Sequence, residues 1–494
     1  MLPALIAAIV AILGILYTWF REPSGLPPGP FSWPIIGNLT IFKDDAPFNT
    51  MSEWAKKYGS IYRMYFGSQL VISLNTIDVV KEALITQADN FSGRPNQYAF
   101  RRVQRGAYGL VINDGPEQKE HRRFTLQVLR DLGFGKSVIE ERIQYEIDSF
   151  INDIGQNEGT PIDISLSLKV CVVNTVISLL FGRTFESSNS EFNEYQQTVA
   201  EYFVVIQKAN LLTFLPFLQY IIPDGLGMKK VMIYKDVMDK FLLKQIKQHE
   251  EEIDFETESY RDYTEAFLKR KRKLENTGQM STSFSDSQLL AALADMFVAG
   301  FETTVTTLQW SILYMCDHPE VQERVYKEIE MEVGENPGWD DRGKLPYVNA
   351  VLMESQRLAN IIPLGVFHRN YEPASLQGFR ISANTMIIIN HWEVMRDPKI
   401  FKNPEKFDPN RFMSGIEGNS DDVIRERKEA LIPFSLGRRA CLGEGLAQRE
   451  LFLVFTSLFY TFKVGMPNGE KPDLSPILGI FVTPRPFELV LKRR

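Results

Sequence analysis

Cysteine is scarce in this chain: three residues in 494, at Cys171, Cys316 and Cys441. They are too few and too scattered for a disulfide framework, and they fit a reducing compartment. Histidine is nearly as rare, with five residues. No local pattern ties one to Cys441, which counts against a cysteine–histidine nucleophile. With no second cysteine or histidine close in sequence, zinc is disfavoured too. Basic residues do not predominate, since the formal net charge is -7 and the pI is near 5.6. A general nucleic-acid binder would be basic, so no nucleic-acid partner is expected. Internal repeats, low-complexity tracts and a glycine-rich nucleotide fingerprint are also missing.

Apolar residues are plentiful. They make up 44% of the chain, with 34 phenylalanines, which predicts a large apolar interior and excludes a disordered chain. Residues 2–20, "LPALIAAIVAILGILYTWF", carry no charge and are long enough to span a bilayer. The alternative, a cleaved signal peptide, lacks its basic start and its small-residue cleavage site. The expected organisation is a membrane anchor at 2–20, a stiff proline-rich linker at 21–30 and one large domain at 31–494. That domain reads as mainly α with small β-sheets. Helical periodicity dominates from Asp78 to Phe462. Residues 60–75 read as a hairpin around a Gly-Ser turn, 378–390 as strands, and the C-terminus as a strand pair broken by prolines.

One helix stands apart. From Ser285 to about Cys316 nearly every face is apolar, which predicts a buried central beam, and Ser285 with Gln288 reads as a capping box. Its middle is faulted at Ala299-Gly300-Phe301-Glu302-Thr303. A mid-helix glycine costs about 1 kcal/mol. The Thr303 hydroxyl is placed to bond back to the carbonyl of Ala299, and small residues would let a flat ligand approach. A structural glycine beside a satisfied threonine is an equal reading of this fragment alone.

The densest chemistry is in "PFSLGRRACLGEG", residues 433–445. A thiolate at neutral pH needs positive charge and N–H donors. Arg438 and Arg439 supply charge, Gly437 permits a sharp turn, and Gly443 has the freedom to turn amides toward the sulfur. The helix that follows adds its dipole. Against a nucleophile, an inert thiol or zinc, a single axial thiolate on a haem iron fits this residue set best.

Phe434, Gly437, Arg439, Cys441 and Gly443 fill every fixed position of F-x-x-G-x-R-x-C-x-G, and the chain here resembles the cytochrome P450 family. Ala299-Gly300 and Glu302-Thr303 resemble its oxygen-activating segment, Glu354 and Arg357 its E-x-x-R pair, and "FDPNRF" its P-E-R-F segment, with Asn410 where glutamate is usual. The resemblance runs from about Pro27 to the C-terminus and is nearest the microsomal drug- and lipid-metabolising group of animals. It implies the cytochrome P450 fold and a haem b (iron protoporphyrin IX) with Cys441 as axial thiolate. It further implies catalytic roles for Thr303 and Glu302, with Ala299, Phe434, Gly437 and Gly443 around the cofactor. Arg94, Arg122, His368 and Arg439 are the implied propionate partners. Arg411 is implied to join Glu354 and Arg357 in a buried cluster. Gln118 stands where the family has a tryptophan.

The implied activity is a haem-thiolate monooxygenase that hydroxylates or epoxidises a small apolar lipid, steroid or xenobiotic with dioxygen. Electrons would come from NADPH through NADPH-cytochrome P450 reductase, with cytochrome b5 as a further partner. The reductase would dock on a basic patch at Lys119, Arg123, Arg130 and Lys136. The expected location is the endoplasmic reticulum membrane, catalytic domain in the cytosol. Residues 96–114 and 202–228 are expected to line the pocket, the second segment dipping into the membrane surface. The alternatives are a haem-thiolate isomerase or dehydratase, which would not need the Glu302-Thr303 pair, and a non-catalytic haem-binding protein.

Overall fold

The computed structural model describes residues 25–43, 46–104, 108–133, 137–186, 189–222, 224, 226–278 and 283–494. The expected anchor at 2–20, the linker residues 21–24 and Lys136 lie outside the described residues. Ten helices of fourteen residues or more are found among the described residues. They are α1 Gly115–Asp131, α2 Ser137–Gly155, α3 Ser165–Phe181, α4 Ser190–Ala209, α5 Met228–Glu252, α6 Tyr263–Asn276, α7 Asp286–Asp317, α8 Pro319–Glu332, α9 Pro346–Ala359 and α10 Glu444–Thr461. The chain is mainly helical with small sheets.

Helix α7 is the central beam and packs against α3, α5, α9 and α10. It is also the one described helix long and apolar enough to cross a membrane, but it belongs to the protein core. Ser285 caps it by accepting from the Gln288 amide at 3.2 Å. The expected capping box is only half formed. The Gln288 side chain instead holds Gly109, accepting from its N–H at 2.9 Å and donating to its carbonyl at 3.4 Å. A long-range partner wins over the helix's own end. Gly300 is corrected similarly. A Cβ there would come within 3.0 Å of the Val176 side chain on α3, so the glycine permits close helix packing rather than approach of a ligand. Its neighbour Ala299 is the exposed residue.

The hairpin forms as β1 Ile61–Phe66 and β2 Gln69–Leu74. Short strands follow at β3 Pro161–Ile162, β4 His368–Arg369, β5 Ala374–Leu376, β6 Phe379–Ile381, β7 Met386–Ile389 and β8 Phe462–Gly465. The last three are β9 Pro476–Ile477, β10 Thr483–Pro484 and β11 Leu489–Arg493. One sheet runs β1-β2-β7-β4 and so carries His368 into the body. The C-terminal strands differ from expectation. β9 pairs with β10 over two residues, kept short by a proline in each strand, while β11 lies between β3 and β8. The proline-rich stretch is docked rather than free: Arg63 of β1 donates from N–H to the Pro28 carbonyl at 2.9 Å and from Nη1 to that of Pro27 at 2.7 Å.

Below the core, Glu354 and Arg357 of α9 meet Arg411. Arg357 grips the carboxylate bidentately at 2.7 and 2.8 Å, and Arg411 Nε donates to Glu354 Oε1 at 3.2 Å. The arginines also donate to the carbonyls of Met395, Asn403 and Lys406. One three-residue cluster therefore gathers the segment that leads toward Cys441. Glu354 and Arg357 are 0% exposed. Glu354→Ala would leave two buried guanidiniums without their carboxylate, and a loss of about 3–5 kcal/mol or failure to fold is expected, read by urea unfolding.

Candidate active site

Cys441 sits between a 3-10 turn at Gly437–Arg439 and the start of α10. Its N–H donates to the Phe434 carbonyl at 2.9 Å, which closes the loop. Gly437 has φ +73°, and a Cβ there would lie 1.9 Å from the Leu84 carbonyl oxygen. No other residue fits this turn. Gly443 is different. Its φ is -89°, open to any residue, so the expected special backbone freedom is not what aims the amides. They aim because Gly443 caps α10, and the N–H groups of Gly443 and Glu444 point at the sulfur from the helix's first turn. Burial pushes the Cys441 thiol up, while those two amides and the Arg122 guanidinium pull it down. The side chain is nonetheless exposed, so it opens onto a space ringed by protein.

Arg94, Arg122 and Arg439 lie close enough to act on one another. Burial, then Arg439 and Arg122, bring Arg94 down to about 9, and burial brings Arg439 to about 10. Backbone carbonyls hold all three. Arg94 donates to Val111 at 3.0 Å and Phe367 at 2.8 Å, Arg439 to Ser92 and Asn113 at 2.8 Å each, and Arg122 to Ala440 at 2.6 Å. His368 is buried, with Nδ1 2.9 Å from the Phe91 carbonyl. Burial and then Arg94 hold its pKa well below the usual value. The acid among them is Asp114, which accepts from the Arg94 N–H at 3.0 Å and from Arg369 Nη2 at 2.6 Å. Asp114 and Arg369 were not singled out in the sequence. The Arg369 signal was present, directly after His368. The surplus of buried positive charge fits the two propionates of a haem, and an exposed thiol under helix amides fits its iron.

Gln118 is buried beside these arginines, with Nε2 at 3.5 Å from the Leu110 carbonyl, the outer limit of a hydrogen bond. On α7 the Thr303 hydroxyl donates to the Ala299 carbonyl at 2.8 Å. Thr307 repeats the bond to Thr303 and Ser311 to Thr307. Glu302 faces elsewhere: burial raises its pKa and Lys169 opposes the shift. Adjacent helical residues diverge, so this pair does not converge directly on one point. Residues 96–114 and 202–228 do meet. The Tyr98 N–H donates to the Thr213 hydroxyl at 3.0 Å, and its own hydroxyl donates to Gln219 Oε1 at 2.9 Å. Asp295 of α7 takes the N–H groups of Leu110 and Val111 at 2.7 and 2.9 Å, fixing that loop over the beam.

Gly437→Ala forces a Cβ into a carbonyl at a left-handed φ. The expected result is a loss of more than about 2 kcal/mol, checked by thermal unfolding, with Gly443→Ala tolerated far better.

A family model described as Cytochrome P450 matches residues 27–491. Cytochrome P450 2U1 of Homo sapiens is 33% identical over 522 residues, covering 99% of this chain and 93% of that protein. Cytochrome P450 2J2 of Homo sapiens is 33% identical over 488 residues, covering 97% and 94%. Cytochrome P450 2K4 of Oncorhynchus mykiss is 35% identical over 475 residues, covering 95% and 92%. Sequence, thiol turn and arginine cluster agree: the chain belongs to the cytochrome P450 family and is a haem-thiolate monooxygenase.

Proposed function

We propose that this monooxygenase oxidises a small apolar substrate taken from the endoplasmic reticulum membrane, using electrons that NADPH supplies through a separate reductase. The observation that carries the substrate reading is a paired apolar rim. Phe31, Trp33 and Ile35 are 57–63% exposed, and Phe217, Tyr220 and Ile221 are 43–85% exposed. The hairpin turn joins the two segments: Gly67 abuts the Phe214 backbone, and the Phe66 and Phe214 rings lie 5.1 Å apart. A rim of this kind inserts into a lipid surface and offers an apolar molecule a short path inward.

A groove of 680 Å³ is lined by Lys119, Arg122, Arg123, Arg130, Arg438 and Arg439, with Asp131 the one acid among its lining residues. Its charge suits an acidic electron donor. Arg122 and Arg439 belong both to this groove and to the arginine cluster, which supports reading the groove as a docking face close to the cofactor.

Bound at Cys441, the haem supplies dioxygen reduction and transfer of one oxygen atom to the substrate. The residues do the rest. Arg94, Arg122, His368 and Arg439 hold the propionates. The amides of Gly443 and Glu444 and the Arg122 guanidinium oppose the upward shift that burial imposes on the Cys441 thiol, and would assist it as a thiolate ligand. Thr303 would orient water beside the substrate, its hydroxyl turning from the Ala299 carbonyl to give one proton as it takes another from water. Burial raises the pKa of Glu302 against the pull of Lys169, which suits a carboxyl that exchanges protons through water rather than by contact with Thr303.

Cys441→Ser should abolish the red-shifted Soret band of the reduced carbon monoxide complex. A variant that keeps that band and turns over overturns the assignment of the ligand. Thr303→Ala should keep consuming NADPH while product per NADPH falls by about tenfold or more, with Thr303→Ser intermediate. Charge reversal at Arg123 and Arg130 should raise the KM for reductase and flatten its dependence on salt, with the carbon monoxide band unchanged.

A further inference from the structure

Where α2 packs against α3, a cavity of 390 Å³ opens to solvent, lined by both helices and by the loop that follows α3. None of its lining residues belongs to the thiol turn, the arginine cluster or the basic groove. Its floor is polar and buried. Helix α3 is strongly apolar, yet it places Asn174, Thr175 and Ser178 on this side, each 6% exposed or less, and Glu146 of α2 joins them at 7%. Asn174 is fully engaged. Its Nδ2 donates to Glu146 Oε2 at 3.0 Å and to the Phe185 carbonyl at 3.1 Å, and its Oδ1 accepts from the Phe185 N–H at 3.0 Å. These bonds pin the loop that brings Arg183 and Thr184 to the cavity. Glu146 Oε1 has no partner among the described residues.

Charge around the cavity is unpaired. Arg142 and Glu146 stand four apart on α2, a spacing at which opposite charges normally meet. They form no ion pair among the described residues. Arg142 donates instead to the Ser178 carbonyl at 3.4 Å, and Arg183 to Gln248 Oε1 at 2.9 Å. Burial raises the pKa of Glu146 and the Asn174 bond opposes the shift, while neither guanidinium acts on the carboxyl. Opposite charges therefore line one cavity and stand apart across it. An anion alone would meet Glu141 and Glu146, and a cation alone would meet both arginines. A molecule with one charge of each sign, at its two ends, answers both. The volume is at the small end for ligand sites. The one large apolar wall is the ring of Tyr145, 72% exposed, which is too little surface to hold an acyl chain.

We propose that this cavity binds a small free zwitterion, with its ammonium on Glu146 Oε1 and its phosphate or carboxylate between Arg142 and Arg183. The ammonium gains a charge-assisted hydrogen bond to a carboxyl that Asn174 already holds in place. The guanidiniums offer planar donors matched to the other end. The site stands apart from the thiol turn, and the inference does not rest on the monooxygenase reading.

Isothermal titration calorimetry of the full-length holoenzyme tests it, with O-phosphoethanolamine and 4-aminobutanoate as probes. At least one should bind, one molecule per chain. Butylamine and butanoate, each with half the charge pattern, should bind at least about tenfold more weakly. Glu146→Gln keeps the side-chain length and removes the charge, and it should weaken the probe by about tenfold or more. Arg183→Gln should do the same from the other end. The carbon monoxide band and the thermal unfolding of Arg183→Gln without probe should match the parent, which separates loss of the site from loss of the fold. Silence from both zwitterions, equal affinity for the singly charged probes, or affinity indifferent to both substitutions overturns the site. Binding of dihexanoyl phosphatidylethanolamine without binding of O-phosphoethanolamine overturns a free zwitterion in favour of a lipid.

Discussion

Like charge packed inside a protein is the constraint around which this molecule is organised. Burial lowers the basicity of Arg94, Arg122 and Arg439, Arg439 and Arg122 add to that at Arg94, and few acids answer them. Such an arrangement does not stabilise a fold by itself, since each buried cation costs several kcal/mol unless it is compensated. The chain compensates with backbone carbonyls from residues distant in sequence: Ser92, Val111, Asn113, Phe367 and Ala440. Each arginine is therefore also a strap between segments. On the proposed reading the propionates of a haem would complete the neutralisation, which would link cofactor binding to the stability of this region.

A second set of straps works below the core. Arg357 and Arg411 collect the carbonyls of Met395, Asn403 and Lys406 around Glu354, whose carboxylate faces both guanidiniums. The planar five-donor head of arginine suits this task, and lysine does not replace it. The turn that carries Cys441 is then fixed from the side by Gly437, pressed against the Leu84 carbonyl. Position of the sulfur is thus set by backbone-to-backbone contact, and its electrostatics by the start of α10.

Much of this was legible in the sequence because it is local. The turn residues, the following helix, the hairpin at residues 60–75 and the central beam are all written in short spacings. What escaped depends on partners far away in the chain. Gln288 looks like half of a capping box until Gly109 arrives across the fold. Gly300 looks like an opening for a ligand until Val176 is placed against it. Gly443 looks like a residue of special conformation, yet its φ is ordinary and the helix end does the work. The C-terminal strands split between two sheets because β11 finds β3 and β8, and no local pattern announces that choice. Asp114 reads only as the start of a helix until Arg94 and Arg369 reach it.

The docking of Pro27 and Pro28 on Arg63 shortens the chain's leash. From Phe20 to Leu26 there are six residues, at most about 20 Å of extended backbone. Were residues 2–20 to span a bilayer, as the sequence predicts, the catalytic body would ride against the lipid headgroups with little room to roll. Its apolar rim would face lipid on every encounter, and its search for both substrate and electron donor would become a two-dimensional one.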